Sequence, residues 1–337
     1  MKALVTGATG FLGSHIVDEL MENNYEVRVL IRKTSNTRFI DKYSGIEKVI
    51  GDITQAETLP EAMKDVDAIF NNAAIMEDWG SWKKFERVNV QGTLNVLEAA
   101  RKLEIKKIVH TSSTAVYGFP NKKTPITEEF PKRPFGNYQK SKYDAQKAVD
   151  QYVRDYDMDI SSIRPPFIFG ARDSYTIPIA VESIVTGTMM IIGSGKQMQS
   201  IVHARDAAHC IRLAAEKPNT KGESFNVISF DTDVKTLYTR IAELIGASSD
   251  FTQIPYKIAY LFGVLSEGFG LLLRKKTSPT ATRFRVKLLG QNYLIDCTKA
   301  KEILGYKPNY NLETTILDSL RWYYTEHPEK QRPSILA

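Results

Sequence analysis

A buried strand that runs directly into a glycine-rich turn and then a helix opens this chain, and it constrains the fold more than any other stretch. Residues 2–13 read KALVTGATGFLG, where the apolar run 3–5 predicts the strand and the following HIVDELMENN predicts the helix. Gly7 suits the tight turn, Gly10 lets the backbone approach a diphosphate, and Gly13 lets the helix pack closely on the strand. The free N–H groups at the helix N-terminus would face the phosphates.

The alternative for this turn is a glycine-rich loop that only reverses the chain. The order strand, turn, helix, with further strands and helices behind it, favours a dinucleotide site. The same alternation predicts an α/β protein with a doubly wound parallel sheet. We therefore expect Thr9, Phe11 and Leu12 to contact the dinucleotide together with the three glycines.

Composition argues against several other classes of protein. The 337 residues suffice for one large or two moderate domains, and the net charge of +6 is spread along the chain without an arginine-rich run, so we expect no nucleic-acid partner. Cys210 and Cys297 are far apart, which favours buried free thiols, and we expect no metal site. Because the sequence enters a strand at once and has no long uncharged apolar run, we expect a cytoplasmic protein without a spanning helix.

The ends of the next strands carry the residues expected to hold the rest of the dinucleotide. Strand YEVRVLI ends at Arg32, where an acid would bind the 2′-hydroxyl of NAD; positive charge there favours the 2′-phosphate of NADP. A solvated Arg32 that admits either cofactor remains the alternative. Asp52 follows the third strand and would accept a hydrogen bond from adenine, although aspartate is also a common helix cap. Small residues allow the backbone to approach the cofactor ribose at Asn72, Ala73 and Ala74.

A tyrosine, a lysine and a serine form the candidate catalytic group. Tyr138 and Lys142 are one helical turn apart, so their side chains lie on one face of the predicted helix. The pKa of a free phenol is about 10, and a neighbouring ammonium would lower it towards the working range. Ser113 follows a predicted strand and would hydrogen-bond a substrate oxygen. The Tyr-x-x-x-Lys spacing is common by chance, but together with the glycine turn and the serine it predicts acid–base catalysis.

These motifs resemble those of the extended short-chain dehydrogenases/reductases, within the NAD-dependent epimerase/dehydratase superfamily. TGATGFLG, GDI, NNAA, TSSTAVYG, YQKSK and RPPFIFG occur in the order typical of that family, over nearly the whole chain. The resemblance implies Ser113 as the hydroxyl that orients the substrate, Tyr138 as catalytic acid/base and Lys142 as its partner. It also implies a dinucleotide-binding Rossmann domain over 1–170 and a smaller substrate-binding lobe over 171–337, with elements around 200–230 that return to the sheet.

Further cofactor contacts are expected along the chain, and the resemblance also implies a homodimer. Asn89, near the start of the long helix VNVQGTLNVLEAARKL, would bridge backbone and catalytic groups through water. The two long helices, one after Val88 and one around Tyr138, would join two copies of the chain, although packing inside one copy would produce their apolar faces too. The additional cofactor contacts would be Ile53, Thr111, Pro165, Phe167 and Ile168.

Within this family the residues disfavour one reaction and leave others open. The dehydratase pattern needs an Asp-Glu pair after the serine, but Thr114 and Ala115 stand here. Nucleotide-sugar enzymes usually carry an asparagine at the position of Phe167, where an apolar side chain favours a hydrophobic substrate. Arg172 and Arg205 would still bind phosphate, so a nucleotide-sugar 4-epimerase is the second hypothesis. A regulatory protein that only senses the nucleotide is the third.

An apolar segment near the C-terminal end gives another indication of a hydrophobic substrate. Residues 254–276 are strongly apolar, are interrupted by Glu267 and glycines, and end in Arg274, Lys275 and Lys276. The segment would either lie on a membrane surface, with the basic residues at the headgroups, or cover the substrate pocket. It resembles the corresponding part of 3β-hydroxysteroid and sterol-4α-carboxylate 3-dehydrogenases and of the dihydroflavonol-reductase group.

We therefore expect an oxidoreductase that transfers a hydride between NADP, or NAD, and a secondary alcohol or ketone of a sterol-like or lipid substrate. Trp79 lies in the loop DWGSWKKF near the expected cleft, where plain packing is an equal alternative. The expected substrate contacts are Ser113, Thr114, Trp79, Phe167 and Arg172.

Overall fold

The computed structural model describes residues 1–273, 275, 277–279, 281–330 and 332–336. The strands are β1 (Lys2–Thr6), β2 (Glu26–Ile31), β3 (Glu47–Ile50), β4 (Ala68–Asn71), β5 (Lys107–Thr111), β6 (Ile160–Arg164), β7 (Phe167–Phe169), β8 (Met190–Ile192), β9 (Met198–His203), β10 (Ser224–Asn226), β11 (Phe230–Asp233) and β12 (Thr252–Ile254). The α-helices are α1 (Phe11–Glu22), α2 (Leu59–Met63), α3 (Trp82–Phe85), α4 (Gly92–Lys102), α5 (Gly136–Tyr156), α6 (Thr176–Val185), α7 (Ala204–Glu216), α8 (Val234–Leu244), α9 (Tyr256–Leu272), α10 (Arg283–Gly290), α11 (Thr298–Leu304) and α12 (Leu312–Glu326).

Within these described residues, a sheet of seven parallel strands has the order β3-β2-β1-β4-β5-β6-β10. The chain moves outward from β1 to β3, then returns to the other side of β1 and continues from β4. The carboxyl ends of β1 and β4 therefore border the crevice in which ligands of such sheets bind. This arrangement confirms the predicted doubly wound sheet.

Helices cover both faces of the sheet because the strands are apolar on both faces. On one face, α1 and α7 bury residues such as Ile16 and Ile211 against the sheet. On the other face, α4 and α5 bury Leu97 and Val149. The apolar faces of these two long helices are thus used largely inside one copy of the chain, and the homodimer stays a prediction.

The C-terminal part forms a second core and also returns to the main sheet. Strands β7, β9 and β11 form a small sheet, and α6, α8 and α12 pack together through residues such as Ile177, Leu237 and Leu320. Strand β10 pairs with β6, and α7 packs on α1. The domain boundary at residue 170 stays a prediction.

Helix α9 occupies most of the apolar segment 254–276. No helix among the described residues is long and apolar enough to cross a bilayer. Arg274 and Lys276, two of the three basic residues expected at headgroups, lie outside the described residues.

Candidate active site

The glycine turn between β1 and α1 is packed as closely as its sequence predicts. Gly7 has φ +68°, and a Cβ on it would lie 2.8 Å from the Cα of Ala73. A Cβ on Gly13 would lie 2.0 Å from the carbonyl oxygen of Gly7. Gly10 is the N-cap of α1 and has no side-chain hydrogen bond; a Cβ there would meet only that same oxygen, at 3.4 Å. The first N–H groups of α1 are therefore left for an anionic group.

Thr6, at the end of β1, fixes the neighbouring loop and was missed by the sequence reasoning. Its hydroxyl accepts hydrogen bonds from the backbone N–H groups of Asn72 at 3.1 Å and Ala73 at 3.0 Å, and donates one to Asn71. The sequence does contain a sign of this role, because Thr6 is a hydroxyl residue at the end of an apolar run, directly before the glycine turn.

A cleft of about 420 Å³ runs along the carboxyl ends of the strands, and its lining fits an extended dinucleotide. Most of the predicted cofactor and catalytic residues line it: Gly7, Thr9, Gly10, Phe11, Leu12, Arg32, Asp52, Ile53, Asn72, Ala73, Ala74, Thr111, Ser113, Tyr138, Lys142, Pro165 and Ile168. The lining also includes unpredicted residues: Leu30, Ser35, Gly51, Thr54, Ile75, Met76, Arg87, Val88, Ser112 and Pro166.

The part of this cleft beside the ends of β2 and β3 combines a cation with a fixed carboxylate. The backbone N–H of Arg32 donates to the hydroxyl of Ser35 at 3.0 Å, which holds the turn after β2 in place. Asp52 accepts a hydrogen bond from the backbone N–H of Thr54 at 2.8 Å. Among the described residues, the guanidinium of Arg32 has no ion-pair partner, so its charge is available to a ligand.

Tyr138, Lys142 and Ser113 meet at the other end of the cleft. Of these residues, Lys142 is buried and Tyr138 is half-buried. Lys142 donates a hydrogen bond from Nζ to the carbonyl oxygen of Thr111, at the end of β5, at 2.7 Å. The Ser113 hydroxyl accepts a hydrogen bond from the N–H of Ala115 at 3.1 Å. Strand β5 and helix α5 thus bring together a serine and a tyrosine that are far apart in the sequence.

The pKa of Tyr138 differs from the expectation. Burial raises the pKa of Tyr138 above its usual range, and a hydrogen bond with Ser113 partly offsets the increase. Burial also lowers the pKa of Lys142 to about 8. The expected lowering of the Tyr138 pKa by Lys142 is not seen. The Nζ of Lys142 instead donates to the carbonyl oxygen of Thr111. In this state Tyr138 keeps its proton at neutral pH.

Asn89 joins two parts of the site without lining the cleft. It lies in a π-helical turn, Glu86–Gln91, and its amide bonds both the N–H and the C=O of Ile75, at 2.8 and 3.0 Å. Its Nδ2 also donates to the hydroxyl of Ser141, next to Lys142, at 2.9 Å. Asn89 therefore bridges backbone and the catalytic helix directly, whereas a water-mediated bridge was expected.

Two residues predicted near the substrate face away from the cleft. Phe167 packs beside Phe169 towards the core of the C-terminal lobe, with ring centroids 6.3 Å apart. Because side chains alternate along a strand, Ile168 faces the cleft instead. Thr114 is buried, and its hydroxyl donates to the carbonyl oxygen of Pro165 at 3.4 Å.

Other predicted substrate or phosphate contacts are engaged elsewhere. Arg172 donates to Asp18 of α1 at 2.6 Å, and Arg205 pairs with Glu22 of the same helix at 3.4 Å. Acidic residues on α1 therefore hold both arginines outside the cleft lining. Trp79 donates to the carbonyl oxygen of Lys275 at 3.1 Å and packs against α9.

Aromatic rings connect the catalytic elements with the C-terminal lobe. Phe119, shortly after Ser113, and Phe135, the N-cap of α5, have ring centroids 5.8 Å apart. Phe284 of α10 contacts Phe119 at 5.3 Å. Apolar rings that lie near Ser113 and Tyr138 in the sequence thus pack against a helix of the C-terminal part.

A carboxylate ties the loop after β4 to the same lobe. Asp78 accepts hydrogen bonds from Thr282 at 2.9 Å and from Arg285 of α10 at 2.7 Å. Ile75 and Met76, in the same loop, line the cofactor cleft. One short loop therefore contacts both the cofactor cleft and the C-terminal lobe.

Comparison with known proteins assigns the chain to a family. The family model described as "NAD dependent epimerase/dehydratase family" matches residues 3–227. The chain belongs to this family. It is an enzyme of the extended short-chain dehydrogenase/reductase type, as the order of its motifs predicted.

The relatives include a ketoreductase, sterol dehydrogenases and a putative epimerase. A farnesyl-dihydroquinoline-oxide ketoreductase of Stigmatella aurantiaca is 29% identical over 91% of this chain and 92% of its own length. Sterol-4-alpha-carboxylate 3-dehydrogenase of Mus musculus is 28% identical over 98% and 92%. A putative UDP-glucose 4-epimerase of Methanocaldococcus jannaschii is 35% identical over 72% and 82%. Among solved structures, a dTDP-glucose 4,6-dehydratase of Streptomyces venezuelae with bound NAD is 25% identical, with TM-score 0.80 and complete coverage of both chains.

Proposed function

We propose that this enzyme of the NAD-dependent epimerase/dehydratase family reduces a ketone, or oxidises the corresponding secondary alcohol, on a hydrophobic sterol-like or prenylated substrate. The observation that carries the proposal is that Ser113, Tyr138 and Lys142 line the same cleft as the glycine turn between β1 and α1. A reduced nicotinamide cofactor, when bound, supplies the hydride that reaches the carbonyl carbon.

The chain's own residues would manage the proton and the substrate oxygen. The Ser113 hydroxyl would hold the carbonyl oxygen, and Tyr138 would give its proton to that oxygen as the new C–H bond forms, leaving a phenolate and an alcohol. Burial favours the protonated phenol, which is the form needed for reduction. Lys142 would stabilise the resulting phenolate when its Nζ is protonated. Alcohol oxidation reverses each of these transfers.

The surroundings of the site support a hydrophobic substrate. Thr114 and Ala115, where a dehydratase would have its acids, carry no titratable group and are buried. The rings of Phe119, Phe135 and Phe284 offer apolar contacts beside the catalytic elements. The names of the ketoreductase and sterol dehydrogenase relatives agree with such a substrate.

The cofactor preference and the oligomeric state are part of the proposal. Arg32 lines the cleft at the end of β2, and its guanidinium suits the 2′-phosphate of NADP. Val90 and Leu94 remain half-buried near the start of α4, which leaves apolar surface for a second copy of the chain. We propose NADP as the preferred cofactor and a homodimer through α4 and α5.

A nucleotide-sugar 4-epimerase is the second candidate, because the Methanocaldococcus jannaschii relative is named as one and is 35% identical. Such an enzyme would use the same three residues, return the hydride to the rotated sugar and retain its cofactor during purification. The phosphate-binding roles expected for Arg172 and Arg205 lack support, since both pair with acids of α1.

The deciding experiment compares NADP and NAD turnover on a panel of sterols, prenylated ketones and UDP-sugars. Turnover of UDP-sugars without any activity on hydrophobic ketones or alcohols would reject the substrate class. Tyr138→Phe should lower turnover about 10²–10⁴-fold and leave dinucleotide affinity nearly unchanged. Tyr156→Phe, at a half-exposed position on the same helix, is the matched control and should keep full activity. Surviving turnover in Tyr138→Phe would show that another group moves the proton.

A further inference from the structure

Helix α9 carries its large apolar side chains on the face that is exposed to solvent. Large apolar residues normally face the core, but here they point to solvent, with Phe269 64% and Leu272 77% exposed. The outer face of α9 consists of Ile258, Leu261, Phe262, Val264, Leu265, Phe269, Leu271, Leu272 and, directly after the helix, Leu273. A contiguous apolar surface of this kind marks a contact with another apolar phase.

Small residues attach the opposite side of α9 to the protein. Ala259, Gly263 and Gly270 are its buried positions. A Cβ on Gly263 would lie 3.1 Å from the backbone nitrogen of Arg283, and one on Gly270 would lie 3.3 Å from the Trp79 ring. Small residues towards protein and bulky apolar residues outward are the arrangement of helices that contact lipid.

Charges at the ends of α9 are positive. Lys257 and Lys275 are exposed, and neither has an acidic partner among the described residues. The acid of this helix, Glu267, is turned towards the protein and neutralised by Arg283, whose Nε lies 2.6 Å from its carboxylate. The exposed cations are therefore complementary to anionic headgroups.

We propose that the outer face of α9 docks onto an anionic lipid surface, with the helix lying in the plane of the interface. None of the nine side chains of that face has a hydrogen-bonding group, and the exposed lysines described at its two ends carry positive charge, which favours an anionic lipid surface as the partner. A helix of 17 residues is about 25 Å long, enough for both terminal lysines to reach headgroups while the apolar side chains enter the acyl region.

Vesicle flotation tests the docking without any substrate, so its result is independent of the proposed reaction. The intact protein should float with phosphatidylcholine vesicles that contain phosphatidylglycerol, and bind about tenfold more weakly to phosphatidylcholine alone. The double variant Phe262→Glu/Phe269→Glu should bind about 100-fold more weakly, because two large apolar side chains no longer enter the lipid. Lys257→Glu/Lys275→Glu should lose mainly the preference for the anionic lipid.

Val185→Glu/Ile335→Glu is the matched control, since both positions are exposed and apolar but lie on other elements. It should float like the unmodified protein. Circular dichroism and size-exclusion chromatography of each variant report the fold and the oligomeric state. The proposal is overturned if the unmodified protein does not float, or if Phe262→Glu/Phe269→Glu floats equally well. Loss of an existing dimer in that variant, without any vesicle binding by the parent protein, would assign the face to a second copy instead.

Discussion

Replacing Gly13 by alanine separates the packing role of the glycine turn from its role in cofactor binding. The new Cβ would lie 2.0 Å from the carbonyl oxygen of Gly7, whereas non-bonded heavy atoms normally stay more than about 3 Å apart. The obstructing atom is backbone and cannot rotate away, so α1 has to move from β1 by about 1 Å. Overpacking of this kind costs about 1–3 kcal/mol, and we expect the upper end of that range.

The measurement is thermal unfolding combined with dinucleotide titration. At about 2–4 °C per kcal/mol, Gly13→Ala should lower the melting temperature by roughly 5–10 °C. Gly10→Ala, whose Cβ would meet its nearest protein atom at 3.4 Å, should change stability by less than about 1 kcal/mol but weaken dinucleotide binding. Gly45→Ala, in open space, is the control for both effects. Wild-type melting and binding by Gly13→Ala would refute the close-packing argument.

Three further substitutions test other parts of the site. Lys142→Met should abolish catalysis and raise the free energy of unfolding at pH 7 by about 1–3 kcal/mol in denaturant titrations. The reason is that burial in the folded state lowers the pKa of Lys142 to about 8. The cost of burying its charge is therefore complete below pH 8 and disappears as pH rises towards 10.5. An equal gain at pH 7 and pH 10.5 would contradict this cause. Asn89→Ala leaves the backbone groups of Ile75 without partners and should cost about 2–4 kcal/mol in the same titration, with weaker dinucleotide binding; an unchanged midpoint would contradict it. Arg32→Ala should weaken NADP binding about 10–100-fold in calorimetry and leave NAD affinity within about threefold, and equal effects on both would reject the NADP preference.

The parts of the site that the sequence predicted are those set by local spacing. Tyr138 and Lys142 share a face because they are one helical turn apart, and the glycines at 7, 10 and 13 act within one strand-turn-helix unit. The doubly wound parallel sheet follows from the same local alternation of strands and helices, combined with the regular handedness of strand-helix-strand units. These features needed no knowledge of distant contacts.

The predictions that differ from the structure depend on contacts between distant residues. Arg172 is held by Asp18, which lies more than a hundred residues earlier in the chain. Phe167 packs on the core of the C-terminal part, whereas its neighbour Ile168 lines the cleft. Successive side chains of a strand point to opposite faces, so the sequence alone did not show which of the two faces the cleft. The sequence of α9 also left its orientation open, because an apolar helix covers a pocket or faces outward with the same composition.

The link between Asp78 and α10 has a kinetic consequence. The loop after β4 borders the dinucleotide cleft and is bonded through Asp78 to α10. Binding of the coenzyme in the cleft should therefore restrict the motion of α10 as well. We therefore expect compulsory-order kinetics, in which coenzyme enters first and leaves last; product-inhibition patterns that indicate random addition would contradict this coupling.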